Sequence, residues 1–104
     1  MSPSNTDLGA AIRRLRRERG LTIEGLGFRA DWHPTYVSQV ERGIKSPSWG
    51  KLVALAAALD VSMVELAQHA DDEAVVARAA SVARLRLRER RSHVVLVEQR
   101  HDLP

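Results

Sequence analysis

A proline-marked break between two short helical segments constrains the fold of this chain more than any other feature. The break lies at His33-Pro34, inside the stretch from Thr22 to Gly43. A residue before proline is pushed out of the α region, whereas proline itself suits the first position of a helix. One continuous helix is therefore excluded here. Two short helices joined by a tight turn are predicted, and the second starts at Pro34.

The second helix is predicted to be amphipathic, with a polar outer face. Val37 and Val40 are spaced to face inward, and Gly43 supplies the left-handed residue that ends the helix. The remaining surface carries polar side chains that can hydrogen-bond to base edges in a DNA groove. These candidate base-reading residues are Thr35, Tyr36, Ser38 and Gln39.

The residues on both sides of this helix pair resemble the Cro and phage-repressor type of helix-turn-helix family. The resemblance spans Leu8 to about His69. It is carried by Leu15-Arg16, Gly20-Leu21-Thr22, the run from Val37 to Gly43, Pro47-Ser48, and Leu55 to Leu59 followed by Val61. It implies an all-α, five-helix, lambda-repressor-like DNA-binding domain.

The resemblance also implies which residues hold the DNA backbone and which hold the domain together. The loop after Gly43 and the helix start that follows it would bind phosphates. The candidate backbone contacts are Thr22, Arg42, Lys45, Ser46 and Ser48. Arg16 is expected to pair with Glu41, an architectural link between the first and third helices.

The two tryptophans are interpreted as parts of the core. Trp32 is expected to fill the space between helices, with stacking on a base as the alternative. Trp49 is expected to cover the core, with contact to the sugar-phosphate edge as the alternative.

The sequence predicts a flexible arm over residues 1–6, the helix-turn-helix domain over 7–70 and an extension over 71–104. The first helix is expected to be capped by Asn5 or Thr6. The fifth begins with a capping box formed by Ser62 and Glu65 and is expected to end near His69.

The extension allows two interpretations. The favoured one is a helix to about Arg90 followed by one strand over 93–100, so that the fold class is all-α with a C-terminal helix-plus-strand extension. The alternative is a hairpin over residues 83–99. A lone strand needs a partner for its edge, and a two-fold copy of the chain is the economical one. The predicted dimerisation residues are Val94, Val95, Leu96 and Val97.

Charge favours a polyanionic partner. The formal net charge is +3 and the isoelectric point is near 10.2. Residues 78–91 alone hold six arginines against one glutamate. The arginines of the first helix, at positions 13, 14, 17 and 19, are interpreted as a solvated surface in preference to a phosphate-binding one.

These features predict a cytoplasmic, sequence-specific regulator of transcription that binds double-stranded DNA as a homodimer and represses from a palindromic operator. No enzyme activity, cofactor or metal is expected, because no nucleophile stands with a base and the histidines are dispersed. The chain contains no cysteine and no apolar run of membrane-spanning length. The alternative is an antitoxin-like protein-interaction module, whose extension binds a partner protein.

Overall fold

The computed structural model describes residues 3–101, and it describes side chains as far as residue 87. All regular structure within these residues is helical: α1 (Asn5–Glu18), α2 (Ile23–Ala30), α3 (Pro34–Glu41), α4 (Trp49–Ala58) and α5 (Met63–His101). The predicted five-helix, all-helical architecture is therefore confirmed. By its internal contacts the chain divides into two compact units, residues 1–74 and 75–104.

Helix α1 begins with a reciprocal cap. The Ser4 hydroxyl accepts a hydrogen bond from the Asp7 backbone N–H at 3.2 Å, and the Asp7 carboxylate accepts one from the Ser4 backbone N–H at 2.8 Å. The prediction that Asn5 or Thr6 caps this helix was wrong. Only Ser4 has an acidic residue three positions later, which the capping box requires.

The break before α3 is made by both residues of the His33-Pro34 pair. His33 lies in the extended region, and its Nδ1 accepts a hydrogen bond from the Thr35 backbone N–H at 3.1 Å. The imidazole thus serves as a helix cap, although histidine is not among the residues that are preferred at this position. Pro34 then occupies the first helical position, where its missing N–H costs nothing.

The end of α3 follows the predicted glycine stop. Gly43 adopts a left-handed φ of +75°, and the Ile44 backbone N–H donates to the Gln39 carbonyl at 2.9 Å. Ile44 itself is 59% exposed, so burial of its side chain contributes little to this stop. Backbone hydrogen bonds and the glycine conformation are what end this helix.

The core lies among the first four helices and the first two turns of α5. Its fully buried large side chains come from every helix: Ile12, Leu15, Leu26, Val37, Val40, Leu55, Leu59 and Leu66. Helix α3 packs against both α1 and α2, and α2 packs against α4. Trp32 is only 7% exposed, so its interpretation as a core residue is confirmed.

The C-terminal extension differs from both predicted forms. Helix α5 starts at the predicted Ser62–Glu65 capping box, but it ends neither near His69 nor at Arg90. The backbone is helical to His101, so the predicted strand over 93–100 and the alternative hairpin over 83–99 are both wrong.

The reason lies in the local sequence of α5. No glycine or proline interrupts it, and its alanine, arginine, leucine and glutamate residues are good helix formers. Four consecutive apolar residues cannot distinguish a strand from a helix without a turn signal beside them. The predicted dimerisation residues, 94–97, lie within this helix, but their side chains are outside the described residues.

None of the helices described between residues 3 and 101 combines the length and apolar character that crossing a bilayer requires.

Candidate nucleic-acid interface

The outer face of α3 is the centre of the candidate interface. Val37 and Val40 are each 1% exposed and fix which side of the helix faces the core. Thr35 is exposed on the opposite side, while Ser38 and Gln39 are partly buried. A helix thus presents short hydroxyls and one amide outward while its apolar pair holds it in place.

Two glycines let the neighbouring helices approach α3 closely. A Cβ on Gly27 of α2 would lie 2.6 Å from the Trp32 carbonyl oxygen, inside contact distance. A Cβ on Gly9 of α1 would lie 2.5 Å from the Val40 carbonyl oxygen and would also overlap the Glu41 backbone. This approach explains why a glycine stands at position 27. The role of Gly9 was missed by the sequence analysis, because a glycine inside a helix gives no sign of what packs against it.

Tyr36 occupies a different environment from the other three candidate base-reading residues. Its ring packs edge-to-face on Trp32, with ring centroids 4.8 Å apart and planes at 70°. The Lys51 Nζ lies 4.0 Å from the Tyr36 ring centroid. The ring is therefore held between a core aromatic and a cation, and it ties α3 to the turn and to α4.

The candidate backbone contacts are all exposed, and two of them also cap helices. The Thr22 hydroxyl accepts from the Gly25 backbone N–H at 2.9 Å, and the Ser48 hydroxyl accepts from the Lys51 backbone N–H at 3.3 Å. A hydroxyl that accepts in this way keeps its own proton as a donor. Both residues can therefore cap a helix and donate to a phosphate oxygen at once.

The three remaining backbone candidates follow the end of α3. Arg42 donates weakly from Nε to the Ser38 carbonyl at 3.4 Å, and its side chain is exposed. Lys45 and Ser46 are exposed in the loop that leads to α4. The structure thus places these residues along one continuous stretch of chain between α3 and the capped start of α4.

Trp49 stands on the surface at the start of α4. It is 70% exposed, so the prediction that it covers the core was wrong. The first helical position after a cap points its side chain away from the packed face here, and Leu52 and Leu55 cover the core instead. An exposed indole next to Ser48 adds a flat apolar surface and an N–H donor to the candidate interface.

Arg16 and Glu41 meet through two parallel hydrogen bonds. Arg16 donates from Nε to Glu41 Oε2 at 2.7 Å and from Nη2 to Oε1 at 3.0 Å. A third bond runs from Arg16 Nη1 to the Leu21 carbonyl at 3.0 Å. The hydrogen bonds with Glu41 raise the pKa of the Arg16 guanidinium above its usual range, and burial opposes that rise only in part. Arg16 thereby links α1, the α1–α2 turn and the end of α3.

A second cluster, which the sequence analysis did not identify, fastens α1 to the start of α5. Arg14 donates from Nη2 to His69 Nδ1 at 2.8 Å, and its Nη1 lies 3.1 Å from Glu73 Oε1. These partners are more than fifty residues apart in sequence, and neither belongs to a recognisable motif. Only the folded chain brings them together.

This fold and surface define a helix-turn-helix protein, and comparison with known proteins agrees. Residues 7–70, more than half of the chain, match the helix-turn-helix domain family, so the chain belongs to that family. The HTH-type transcriptional regulator y4dJ of Sinorhizobium fredii is 43% identical over 65 residues, which cover 62% of this chain and 84% of y4dJ.

Two solved structures extend the comparison. The clp gene regulator ClgR of Corynebacterium glutamicum is 32% identical, with a TM-score of 0.70, over 78% of this chain and 87% of ClgR. The restriction-modification controller protein C.Esp1396I, solved as a tetramer with its natural 35 base-pair operator, is 26% identical, with a TM-score of 0.62, over 66% of this chain and 92% of its own. The protein is accordingly a DNA-binding transcriptional regulator, and its family and neighbours are regulators rather than enzymes.

Proposed function

We propose that this regulator is a homodimeric repressor that reads a palindromic operator with α3. The observation that carries the proposal is the division of α3 into two faces. Val37 and Val40 are buried against α1 and α2, while Thr35, Ser38 and Gln39 remain on the outer side. A helix of this size fits the major groove of B-form DNA.

Gln39 is assigned the most selective contact. Its amide can donate and accept at once, which matches the N6 and N7 edge of adenine in a bidentate pair. Thr35 and Ser38 contribute single hydroxyl contacts, and the Thr35 methyl group suits the methyl group of thymine. Tyr36 completes the base-reading set from the edge of the helix, where Trp32 and Lys51 hold its ring in one orientation.

A clamp on the DNA backbone sets the depth and angle of α3. Thr22 and Ser48 donate their hydroxyl protons to phosphates from the starts of two helices, where the helix dipole also favours an anion. Arg42, Lys45 and Ser46 extend the clamp along the loop. The exposed Trp49 ring lies against the sugar-phosphate edge beside Ser48.

Dimerisation is assigned to the second compact unit, residues 75–104. Val76, Ala80, Ala83 and Leu87 recur at the four-and-three spacing of paired helices, and all four are exposed. A second copy of the chain would cover them. The apolar run over 94–97 continues this segment, so pairing through helices replaces the strand pairing that the sequence suggested. The operator-bound tetramer of C.Esp1396I supports an oligomeric mode of DNA binding for this fold.

Selection of bound fragments from a random DNA pool tests this function. A dimer that reads two half-sites from one face of the duplex should return an inverted repeat, with half-site centres about 10 base pairs apart or a multiple of that spacing. Repression is tested by placing the selected operator over a promoter. Transcription from that promoter should fall when the protein is added. Recovery of unrelated fragments with no shared half-site would contradict the proposal.

A further inference from the structure

A shallow basic groove runs between α1 and the end of α3, outside the proposed base-reading face. Its volume is about 510 Å³. Thr6, Ala10, Arg13 and Arg17 line it from α1, and Glu41 and Arg42 line it from the end of α3. We refer to it below as the α1 groove.

Arg13 and Arg17 of the α1 groove carry charge that no described carboxylate neutralises, whereas Arg14, which also lines the groove, pairs with Glu73. Arg13 and Arg17 are four positions apart on α1, so their like charges lie on adjacent turns and repel each other. Glu41 is already held by two hydrogen bonds from Arg16. Glu18 also borders the groove. Its Oε1 lies 3.9 Å from Arg14 Nε, and its Oε2 lies 3.9 Å from Arg19 Nη1. Neither carboxylate is therefore available to balance Arg13 and Arg17.

The α1 groove is continuous with the proposed clamp. Arg42 belongs to both, and it lies one helical turn beyond Ser38, to whose carbonyl its Nε donates. The first half of α1 packs directly on the end of α3, because Gly9 and Thr6 contact the backbone around Glu41 and Gly43. Arg13 and Arg17 thus lie beside the end of α3 that leads out of the major groove.

We propose that the α1 groove holds the DNA sugar-phosphate backbone that flanks each half-site, with Arg13 and Arg17 each neutralising one phosphate. The inference rests on the proposed function and extends it to a helix that the sequence analysis assigned to solvent. A phosphate between the two guanidiniums removes their mutual repulsion and gains charge-assisted hydrogen bonds. These contacts carry no base information, so they add affinity for any sequence.

The salt dependence of binding tests this inference in the full-length protein. The variant Arg13→Gln/Arg17→Gln is compared with wild type and with Arg29→Gln/Arg86→Gln, which removes the same charge from exposed positions outside the groove. The slope of log affinity against log salt should fall by about two units in the groove variant. Affinity for the selected operator and for scrambled DNA should fall by the same factor. The control variant should keep the wild-type slope to within about half a unit.

The inference would be overturned by an unchanged salt slope in the groove variant, by an equal loss of salt slope in the control variant, or by weaker binding to the operator alone. Binding of poly-glutamate is a further check. If poly-glutamate binds the wild type but not the groove variant, and both proteins bind DNA with the same salt slope, the groove is a site for an acidic protein segment and the inference is overturned. Thermal unfolding checks the fold, and the groove variant should be at least as stable as wild type because the arginine repulsion is gone. A wild-type protein with no preference for its selected operator would instead refute the proposed function itself.

Discussion

Arg16 on α1 and Glu41 at the end of α3 form a nearly buried bidentate ion pair, with side chains only 10% and 5% exposed. Glu41 lies one residue before the exposed Arg42 and two after Gln39, so the pair fixes the end of α3 from the inner side. The planar guanidinium fork sets both distance and direction. The position of the proposed base-reading helix therefore depends on an ion pair that is nearly buried within the domain.

Replacing Arg16 by methionine should lower stability without changing which bases are preferred. Glu41 would remain in a buried place without its partner, a situation that costs about 3 to 5 kcal/mol. Urea unfolding at neutral pH measures the loss, and a panel of operator mismatches measures preference. Arg16→Met/Glu41→Met should recover most of the stability, because it leaves no unpaired charge. An unfolding midpoint equal to wild type in the single variant would show that the pair contributes nothing.

The close approach of α1 and α3 at Gly9 can be tested with a matched pair of alanine substitutions. Gly9→Ala places a methyl group against the Val40 and Glu41 carbonyls, and backbone atoms cannot move aside cheaply. We expect a loss of about 1 to 3 kcal/mol in the free energy of unfolding. Gly50→Ala is the control, since a Cβ there meets nothing within 4 Å. The control should gain about 0.4 to 1 kcal/mol, and a stabilised Gly9→Ala would refute the close approach.

Sequence reasoning recovered the parts of the fold that local chemistry determines. The Pro34 start depends on a single dipeptide, and in the Ser62–Glu65 capping box each side chain accepts from a backbone N–H three residues away. The apolar spacing within α3 likewise identified Val37 and Val40, each only 1% exposed. Signals of this kind are complete in a short window of sequence.

What the sequence could not give depends on residues far apart in the chain. Nothing near Arg14 predicts that its guanidinium meets His69 and Glu73. Helical spacing likewise cannot show that Trp32 and Lys51 contact the ring of Tyr36. The helical backbone over 93–100 was missed for a related reason, since a short apolar run has no period from which helix and strand can be told apart.

The Ser4–Asp7 cap predicts a specific pH dependence. Hydrogen bonds from the Ser4 backbone N–H and then the Ser4 hydroxyl lower the pKa of the Asp7 carboxyl below its ordinary value of 3.8. A lowered folded-state pKa means that the carboxylate stabilises the fold above about pH 4, and that this contribution disappears as pH falls through the lowered pKa. Asp7→Asn should therefore be less stable than wild type at neutral pH. The two proteins should converge as the pH approaches about 2, and an equal difference at both ends would contradict the account.

Removal of residues 75–104 tests where the dimer forms. The shortened chain keeps the buried core and both partners of Arg14, so it should fold. It should sediment as a monomer and bind its operator about 10²- to 10⁴-fold more weakly, because the second half-site contact is no longer intramolecular. A shortened protein that remains dimeric with undiminished affinity would place the interface in the first unit.

The claim that α3 reads bases is tested most directly by comparing Gln39→Ala with Lys45→Ala on every single-base mismatch of the selected operator. Gln39→Ala should abolish discrimination at one base pair in each half-site, a loss of about 1 to 3 kcal/mol there, and should leave the other positions unchanged. Lys45→Ala should weaken all sequences alike and lower the salt slope by about one unit, as expected for a lost phosphate contact. Uniform weakening by Gln39→Ala across the whole panel would contradict the assignment of α3 as the base-reading helix.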